Sequence, residues 1–391
     1  MSGNGPAHDR EPVETAVATP AIIARESAPA PPRLTAEVGT TAPLDDEWQA
    51  LMDGVTPHSR FATAAWFRAW GASFLPYQDW RPPLRYLSVR GESGQLLACI
   101  PLASQRKAGV PVASLAGFYW PFRTPSIPES AGPEVFDAVA DALTRSQWTL
   151  ALRYGPVPET DAGIAGLNAA LERRGWRIHR WLLGESCAVD LPETWEQFEQ
   201  RLGKKLRSNT KYYERKMQRE GTLAIQCMKG VTGEAWAKTV RDLASIEGKS
   251  WQQKAGGKAR FHGEPNRTFW TSLLAESDFG GMASAWVMHF NGEPVSFCFC
   301  MDCGGTRHIV ANHYAEHVRD YGTGSILYRY VFRDAVESGT IRRVDIGLGD
   351  PGYKARWGAQ PSFRLLDWMA FRPGTCGRVL IALMVSAGSG W

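Results

Sequence analysis

The chain has 391 residues, of which 44% are hydrophobic and 21% charged, a balance typical of a globular protein of about two domains. Its formal net charge of +4 is too small to indicate nucleic-acid binding by itself. Seven Cys in a chain of this length exclude a disulfide-dense scaffold, and no stretch approaches the roughly 20 apolar residues that span a bilayer. We therefore predict a cytoplasmic protein.

The two ends of the chain differ in composition from the rest. Residues 1–40 are rich in Pro, Ala, Thr and Glu without lasting periodicity, which predicts a disordered leader. The leader lacks the basic start and apolar core of a signal peptide. Residues 376–391 form a predicted C-terminal tail, and their apolar run 379–385 is short enough to be a packed terminal element or a weak membrane contact.

The first half begins with two predicted helices, because apolar residues recur at helical spacing near Trp48 and again from Phe61 to Trp70. A hairpin follows around Gly91-Glu92-Ser93-Gly94. Its strands cover 84–89 and 96–100, and the later elements of this half are a helix near 134–145, a strand at 148–153, a helix near 162–174 and a strand within 176–190.

The second half repeats this order. The predicted elements are helices near 194–219, 233–247 and 266–276, strands at 282–290, 294–301 and 306–312, a helix at 323–338, a strand at 341–346, a short helix near 351–357 and a strand at 363–371. Asn291-Gly292 is a strong hairpin signal. The pattern predicts an α/β fold (an α+β mixed sheet) made of two related domains, residues 41–190 and 191–375.

The segment Arg319-Asp320-Tyr321-Gly322-Thr323-Gly324-Ser325 lies between a predicted strand and a predicted helix. Two Gly residues allow close approach of the backbone to a ligand, and the N–H groups at a helix N-terminus favour an anion. The geometry therefore suits a pyrophosphate. The alternative is a turn with a structural role only, since Gly is common in turns.

This segment has the form Arg-x-x-Gly-x-Gly, which resembles the acyl-CoA signature of the GNAT acyltransferase superfamily. The wider pattern is similar to a subgroup that contains CelD-like proteins, associated with cellulose biosynthesis, and FemAB-like aminoacyltransferases. Its other parts are basic residues at 204–209, the sequence Asp345-Ile346-Gly347-Leu348-Gly349, and the sequence Tyr353-Lys354-Ala355-Arg356-Trp357-Gly358. All occur in the family's order, and the resemblance covers about residues 40–372.

The resemblance implies a tandem GNAT fold whose second copy binds acyl-CoA, such as acetyl-CoA, as co-substrate and without a metal. The residues expected to bind it are Arg319, Tyr321, Gly322, Thr323, Gly324 and Ser325. The expected reaction is transfer to an amine of a small molecule or cell-envelope precursor, as in polysaccharide biosynthesis. The first half lacks this turn and is expected to be a degenerate copy that shapes the acceptor cleft.

Two alternatives stay open. A FemAB-like enzyme would use aminoacyl-tRNA, which a basic helix would favour; otherwise we predict no nucleic-acid partner. A binding protein of a polysaccharide-synthesis system would keep the fold without turnover. The sequence does not predict an oligomeric state.

Two residues are candidates for proton transfer. Asp345 ends a strand at the edge where α/β folds commonly open their sites, and its carboxylate is a candidate general base. The alternative is that Asp345 only hydrogen-bonds its loop. The order of elements in the resemblance implies that Tyr353 protonates the departing thiolate, and the alternative is packing or substrate contact.

Other polar residues are weaker candidates. A basic amphipathic helix begins with Lys204, Lys205 and Arg207. It predicts contact with a phosphate-rich ligand or a lipid surface, and the alternative is that its charged face contacts only solvent. Lys354 is a candidate for an acceptor phosphate or carboxylate, or an ordinary solvated Lys. His313 and Glu316 are kept because they closely precede the Gly-rich turn. Three Cys residues lack a second Cys-x-x-Cys pair for zinc and are predicted to be buried strand thiols: Cys298, Cys300 and Cys303.

Overall fold

The computed structural model describes residues 33–53, 61–77, 84–107, 110–117, 122–146, 149–231, 233–250, 253, 256–257, 259–349 and 352–374. The predicted tail at 376–391 and the first 32 residues of the predicted leader lie outside these ranges. The strands are β1 (Thr35–Gly39), β2 (Arg85–Arg90), β3 (Leu96–Lys107), β4 (Val110–Leu115), β5 (Ala151–Pro158), β6 (Arg177–Asp190), β7 (Leu223–Lys229), β8 (Ala283–Phe290), β9 (Glu293–Cys303), β10 (Thr306–Tyr314), β11 (Arg343–Leu348) and β12 (Gln360–Phe371).

The helices cover most of the segments with helical periodicity. They are α1 (Asp45–Asp53), α2 (Ala64–Phe74), α3 (Pro133–Arg145), α4 (Ala162–Arg173), α5 (Trp195–Arg201), α6 (Lys204–Glu220), α7 (Ala235–Gly248), α8 (Glu264–Ala275), α9 (Ser277–Met282) and α10 (Thr323–Glu337). The helix predicted at 194–219 is two helices, because Leu202 ends α5 in an extended conformation. The helix predicted near 351–357 is a single 3-10 turn, Ala355–Trp357.

Ordered structure begins before the predicted end of the leader. Residues 35–39 form β1, which pairs antiparallel with β2, so the part of the leader prediction that covers these residues is wrong. Five residues with partly exposed side chains carry too little periodicity to be recognised alone. Their stabilisation comes from the ladder with β2, whose Leu87 and Val89 are fully buried.

All twelve strands form one mixed sheet, as the predicted fold class requires, in the order β1-β2-β3-β4-β5-β12-β6-β11-β10-β9-β8-β7. The two halves exchange their last strands. β12, from the second half, lies between β5 and β6, and β6, from the first half, pairs with β11 of the second. The two predicted domains are therefore joined through the centre of one sheet, and their boundary near residue 190 stays a prediction.

Helices cover both faces of the sheet. Trp66 of α2 packs edge-on against Phe269 of α8, with ring centroids 5.3 Å apart, so helices of the two halves share one core on one face. On the other face, α5, α6 and α10 cover the second half, where Phe332 stacks on Trp357 at 5.3 Å. Large aromatic side chains dominate both contacts, and their burial supplies most of the driving force for this packing.

Candidate active site

The sheet opens between β10 and β11. In these parallel strands, Thr306–His308 of β10 pairs with Arg343–Asp345 of β11, and the strands then separate. A β-bulge between Ile309 and Ala311 leaves Val310 without a partner on β9, and a second bulge lies between Asp345 and Gly347. Bulges end strand pairing and redirect the chain, so they create a gap at this point of the sheet.

A cavity of about 540 Å³ lies at this gap. Three consecutive residues from the end of β10 and the first turn of α10 form much of its wall. The lining residues are Ser250, Asn312, His313, Tyr314, Arg319, Gly322, Thr323, Gly324, Ser325, Tyr328, Tyr353 and Arg356. Five of the six predicted donor-binding residues are therefore brought together with the predicted catalytic Tyr353.

The Gly-rich turn forms the N-terminus of α10. Gly322 caps the helix in a left-handed conformation (φ 58°, ψ 34°) and provides no side-chain cap. The N–H groups of Thr323 and Gly324 have no carbonyl acceptor within the helix, so they are available to an anion, whereas Ser325 N donates to Gly322 O at 2.9 Å. The hydroxyl of Thr323 is buried and has no hydrogen-bond partner in the described part of the chain. This combination fits a phosphate-bearing group.

Gly324 brings the backbone close to β10. A Cβ atom there would lie 3.3 Å from the side-chain oxygen of Asn312, on the opposite wall of the cavity. Arg319 and Arg356 are exposed lining residues and bring positive charge to the cavity. Arg319 Nη1 also lies 3.1 Å from Glu316 Oε1, so its charge is partly neutralised.

Tyr321 is placed differently from the prediction. Its side chain does not line the cavity but packs on α6, where the phenol donates to Glu220 Oε2 and the ring lies 4.7 Å from the Lys216 ammonium. The hydrogen bond to Glu220 raises the pKa of Tyr321, since it favours the protonated phenol. The structure therefore does not bring this side chain to the cavity with the other predicted donor-binding residues, because a residue in the turn can point to either side.

Two phenols meet in the cavity. Tyr353 lies beside Tyr328 with ring centroids 6.1 Å apart, and the Tyr328 phenol is hydrogen-bonded to Tyr353 and Asn312. Burial, together with the neighbouring Tyr353, raises the pKa of Tyr328 well above its usual value. Tyr328 is therefore a neutral hydrogen-bond donor at physiological pH.

His313 lines the same cavity. Its Nε2 lies 3.3 Å from Glu247 Oε1, and the buried Glu247 also accepts backbone N–H groups from Arg260, Phe261 and His262. Burial lowers the pKa of His313 even though the Glu247 charge opposes this shift. A neutral imidazole at the cavity wall is able to accept a proton.

Asp345 lies outside the cavity lining and is buried. Its Oδ2 lies 3.1 Å from His308 Nδ1, while its Oδ1 accepts hydrogen bonds from Ser186 Oγ at 2.6 Å and Gly347 N at 2.8 Å. Burial raises its pKa, but His308, Ser186 and Gly347 outweigh this effect and hold the pKa below its ordinary value. Both oxygens are occupied, which favours the alternative in which Asp345 holds its loop.

Lys354 is buried, and its ammonium donates to the carbonyl oxygens of Gly347 at 2.7 Å and Leu348 at 2.8 Å. It therefore secures the end of β11. The prediction that this Lys contacts an acceptor is wrong, because its side chain folds back onto the strand that precedes it.

Replacing Lys354 with Met should lower the free energy of unfolding by about 1–3 kcal/mol, because two buried carbonyls would lose their donor. The control is Lys238→Met, which removes an exposed pair with Asp242 and should change stability by less than about 0.5 kcal/mol. Urea unfolding followed by circular dichroism measures both. Equal stability of the two variants would contradict this role for Lys354.

The first turn of α6 carries Lys204 and Lys205, which are exposed, and Arg207, which is half-buried. This turn has no acidic residue, so its cations lie at the positive end of the helix dipole, where an anion is favoured. Tyr213 of the same helix lies against Gly322, which places α6 beside the cavity.

The corresponding opening in the first half is filled by its own chain. Residues 112–114 of β4 pair with residues 151–153 of β5. This parallel pairing is as short as the one between β10 and β11 in the second half. The following segment returns to the sheet, where Arg123 N donates to Pro156 O at 3.1 Å and Ser126 pairs with Cys99. Helix α3 then begins with Pro133 and Glu134, whose charge disfavours an anion.

Sequence reasoning missed several residues of the cavity. Asn312 and Tyr328 come from two different elements and carry no local motif, and Arg356 lies in the family sequence at 353–358 but was given no role. The three Cys residues are buried as predicted, and the sulfur atoms of Cys298 and Cys300 lie 3.9 Å apart on one face of β9.

The sequence profile of the Acetyltransf_6 family, described as an acetyltransferase (GNAT) domain, matches residues 204–355. This range contains α6, the Gly-rich turn and most of the cavity. Residues 204–355 carry a GNAT-type domain. No curated protein matches the sequence.

Similar solved structures extend the likeness in fold to both halves of the chain. FemX is 12% identical with a TM-score of 0.55, covering 89% of this chain and 99% of that one. L-PGS from Bacillus licheniformis is 16% identical with a TM-score of 0.51, covering 88% and 96%. A conserved protein of unknown function from Bacteroides thetaiotaomicron is 12% identical with a TM-score of 0.52, covering 85% and 99%. At these identities the likeness shows a shared fold over both halves of the chain.

Within the described ranges, no helix has both the length and the hydrophobicity of a membrane span. The same residues contain no group of three or more His, Cys, Asp or Glu side chains placed to hold a metal ion.

Proposed function

We propose that this GNAT protein transfers an acyl group from acyl-CoA, such as acetyl-CoA, to an amine. The observation that carries the proposal is the N-terminus of α10, which presents a left-handed Gly322, free N–H groups and the unpartnered Thr323 hydroxyl at the wall of the 540 Å³ cavity. The pyrophosphate of CoA would bind these N–H groups, with Arg319 and Arg356 contributing charge. The pantetheine arm would then enter the gap between β10 and β11.

The residues of the gap suit aminolysis of a thioester. Val310 lies in the bulge without a register partner on β9, and its N–H would polarise the thioester carbonyl. The amine nitrogen would attack the carbonyl carbon, the C–S bond would break, and the Tyr353 phenol would give its proton to the departing thiolate. The attacking nitrogen would lose its proton to water or to neutral His313. Most of the rate would come from holding donor and acceptor in attack geometry.

Tyr353→Phe should lower kcat at least about 100-fold while acetyl-CoA affinity stays within about threefold, because only proton transfer is removed. Tyr77→Phe is the control, since Tyr77 is exposed on a separate 3-10 turn. The assay follows N-acetylation of glucosamine and lysine by mass spectrometry. Full activity of Tyr353→Phe would exclude it as the acid, and absence of acetylation by the parent protein with any amine tested would count against the reaction.

A second candidate donor is aminoacyl-tRNA. The exposed basic first turn of α6, the helix whose Tyr213 lies against Gly322, favours it, because cations at a helix N-terminus suit a phosphate backbone. We expect the Lys204→Gln, Lys205→Gln, Arg207→Gln triple variant to keep its acetyl-CoA affinity. A gel shift with aminoacyl-tRNA at low and high salt, with Lys238→Gln, Arg241→Gln as the control, tests the alternative. Two results together would establish the tRNA donor instead. The parent protein would bind tRNA tightly but not acetyl-CoA, and the triple variant would lose tRNA binding while the control variant keeps it.

A further inference from the structure

A second charged cluster lies in the first half, where the chain fills the opening between β4 and β5. Arg123 is half-buried there, and its Nε donates to the carbonyl oxygen of Gly155 at 2.5 Å. Gly155 is required at this position because its φ is 96° and a Cβ would lie 2.9 Å from the Leu366 carbonyl oxygen. The backbone therefore fixes the position of Arg123.

The neighbouring carboxylate, that of Asp367, already forms an ion pair with Arg153. Asp367 is buried, and its Oδ2 accepts from Arg153 Nε at 3.0 Å and from Arg153 Nη2 at 2.5 Å. Its Oδ1 accepts from the backbone N–H of Trp368 at 3.2 Å. No carboxylate of the described residues lies within ion-pair distance of Arg123, and none of their acceptors takes a hydrogen bond from its two Nη nitrogens.

The cluster therefore carries one positive charge in excess. Burial lowers the pKa of Arg123 to about 10, and the Arg153 charge adds to this effect while Asp367 opposes it. A half-buried cation that no carboxylate of the described residues neutralises is costly for the folded state, and a bound anion would reduce that cost. A guanidinium with both Nη nitrogens open has the fork geometry that matches a carboxylate or phosphate.

The cluster is connected to the second half through β6. Arg153 lies over the ring of Trp181 at 5.5 Å, and Trp181 pairs with Asp367 in the β6–β12 ladder. Five residues further along β6, a distance of about 17 Å in an extended strand, Ser186 donates to Asp345 of β11. A ligand that extends along these central strands would connect the cluster with the region of the GNAT cavity.

We propose that Arg123, with Arg153 beside it, binds an oxyanion, a phosphate or a carboxylate, carried by the amine acceptor. The assignment to the acceptor rests on the proposed function, whereas the anion site rests on the charge and geometry of the cluster. This arrangement would leave the donor pyrophosphate at α10 and would fix the acceptor at the other half of the molecule.

The test is the thermal unfolding midpoint of the full chain in inorganic phosphate or acetate, against NaCl of equal ionic strength. Gly324→Val serves as the background, because it closes the donor turn to phosphate. We expect one of the two anions to raise the midpoint by about 2 °C and Arg123→Gln to remove this rise. A response to phosphate identifies a phosphorylated acceptor, and a response to acetate identifies a carboxylate.

Without added anion, Arg123→Gln should not lower the midpoint, because it removes an unpaired charge. Arg364→Gln, which removes an exposed pair with Glu159, is the matched control and should keep the anion response. An unchanged anion response in Arg123→Gln, or no response beyond NaCl in the background protein, would overturn the site. Failure of the proposed acyl-CoA donor is distinguishable from failure of the anion site. In that case the protein would not bind acetyl-CoA but would still respond to the anion.

Discussion

Gly324→Val should weaken acetyl-CoA binding at least about 100-fold without unfolding the protein. A Cβ at this position would lie 3.3 Å from Asn312 Oδ1, and the two methyl groups of Val would extend into the space between α10 and β10. Loss of one or two hydrogen bonds from backbone N–H to a charged phosphate corresponds to about 3 kcal/mol, or roughly 100-fold in affinity. Gly324 has no positive φ, so Val imposes no strained backbone there.

Gly281→Val is the matched control, because Gly281 also lies in a helix, has no positive φ and has open space around its Cβ position. Arg319→Ala should weaken acetyl-CoA binding by less, about 3–10-fold, since Arg319 is exposed and also forms an ion pair with Glu316. Circular dichroism and a cooperative melt establish that each variant is folded. A folded Gly324→Val protein with the affinity of the parent would make the turn a structural feature only.

Asp345→Ala should destabilise the protein by about 3–5 kcal/mol, because it removes the partner of three buried groups: His308, Ser186 and the N–H of Gly347. Asp190→Ala is the control. Asp190 lies on the same pair of strands and is exposed, and its loss removes only an ion pair with Arg343 worth less than about 1 kcal/mol. Urea unfolding at neutral pH measures both. Equal effects of the two substitutions would contradict a structural role for Asp345.

The same carboxylate predicts a pH dependence. Its pKa in the folded protein lies below the ordinary value of 3.8, so its contribution is complete above the unfolded pKa and is lost as the pH falls through the folded one. The difference in unfolding free energy between the parent and Asp345→Ala should therefore be constant from neutral pH down to about pH 5 and shrink below pH 4. A difference that shrinks already between pH 7 and 5 would show that another group controls it.

Local chemistry accounts for what the sequence could predict. Asn291 and Gly292 have φ values of 53° and 82°, the left-handed pair that their hairpin requires. The turn before α10 was predictable because Gly residues and the start of apolar periodicity coincide there. β1, β4 and β7 were not predicted, because strands of five to seven residues carry little periodicity and depend on the neighbouring strand.

Long-range arrangement accounts for the rest. The exchange of β6 and β12 between the halves depends on pairings between residues far apart in the chain, which no local pattern records. The sequence also does not predict the directions of side chains. Tyr321 points towards α6, and Lys354 points towards β11. Asn312 and Tyr328 enter the site only because β10 and α10 meet at the bulge.

Calorimetric titration of the full chain with acetyl-CoA tests the central claim most directly. We expect binding to a single site, competition by free CoA, and loss of that binding in Gly324→Val but not in Gly281→Val. Absence of binding at acetyl-CoA concentrations up to about 1 mM, or equal binding to both glycine variants, would contradict a donor site at the N-terminus of α10.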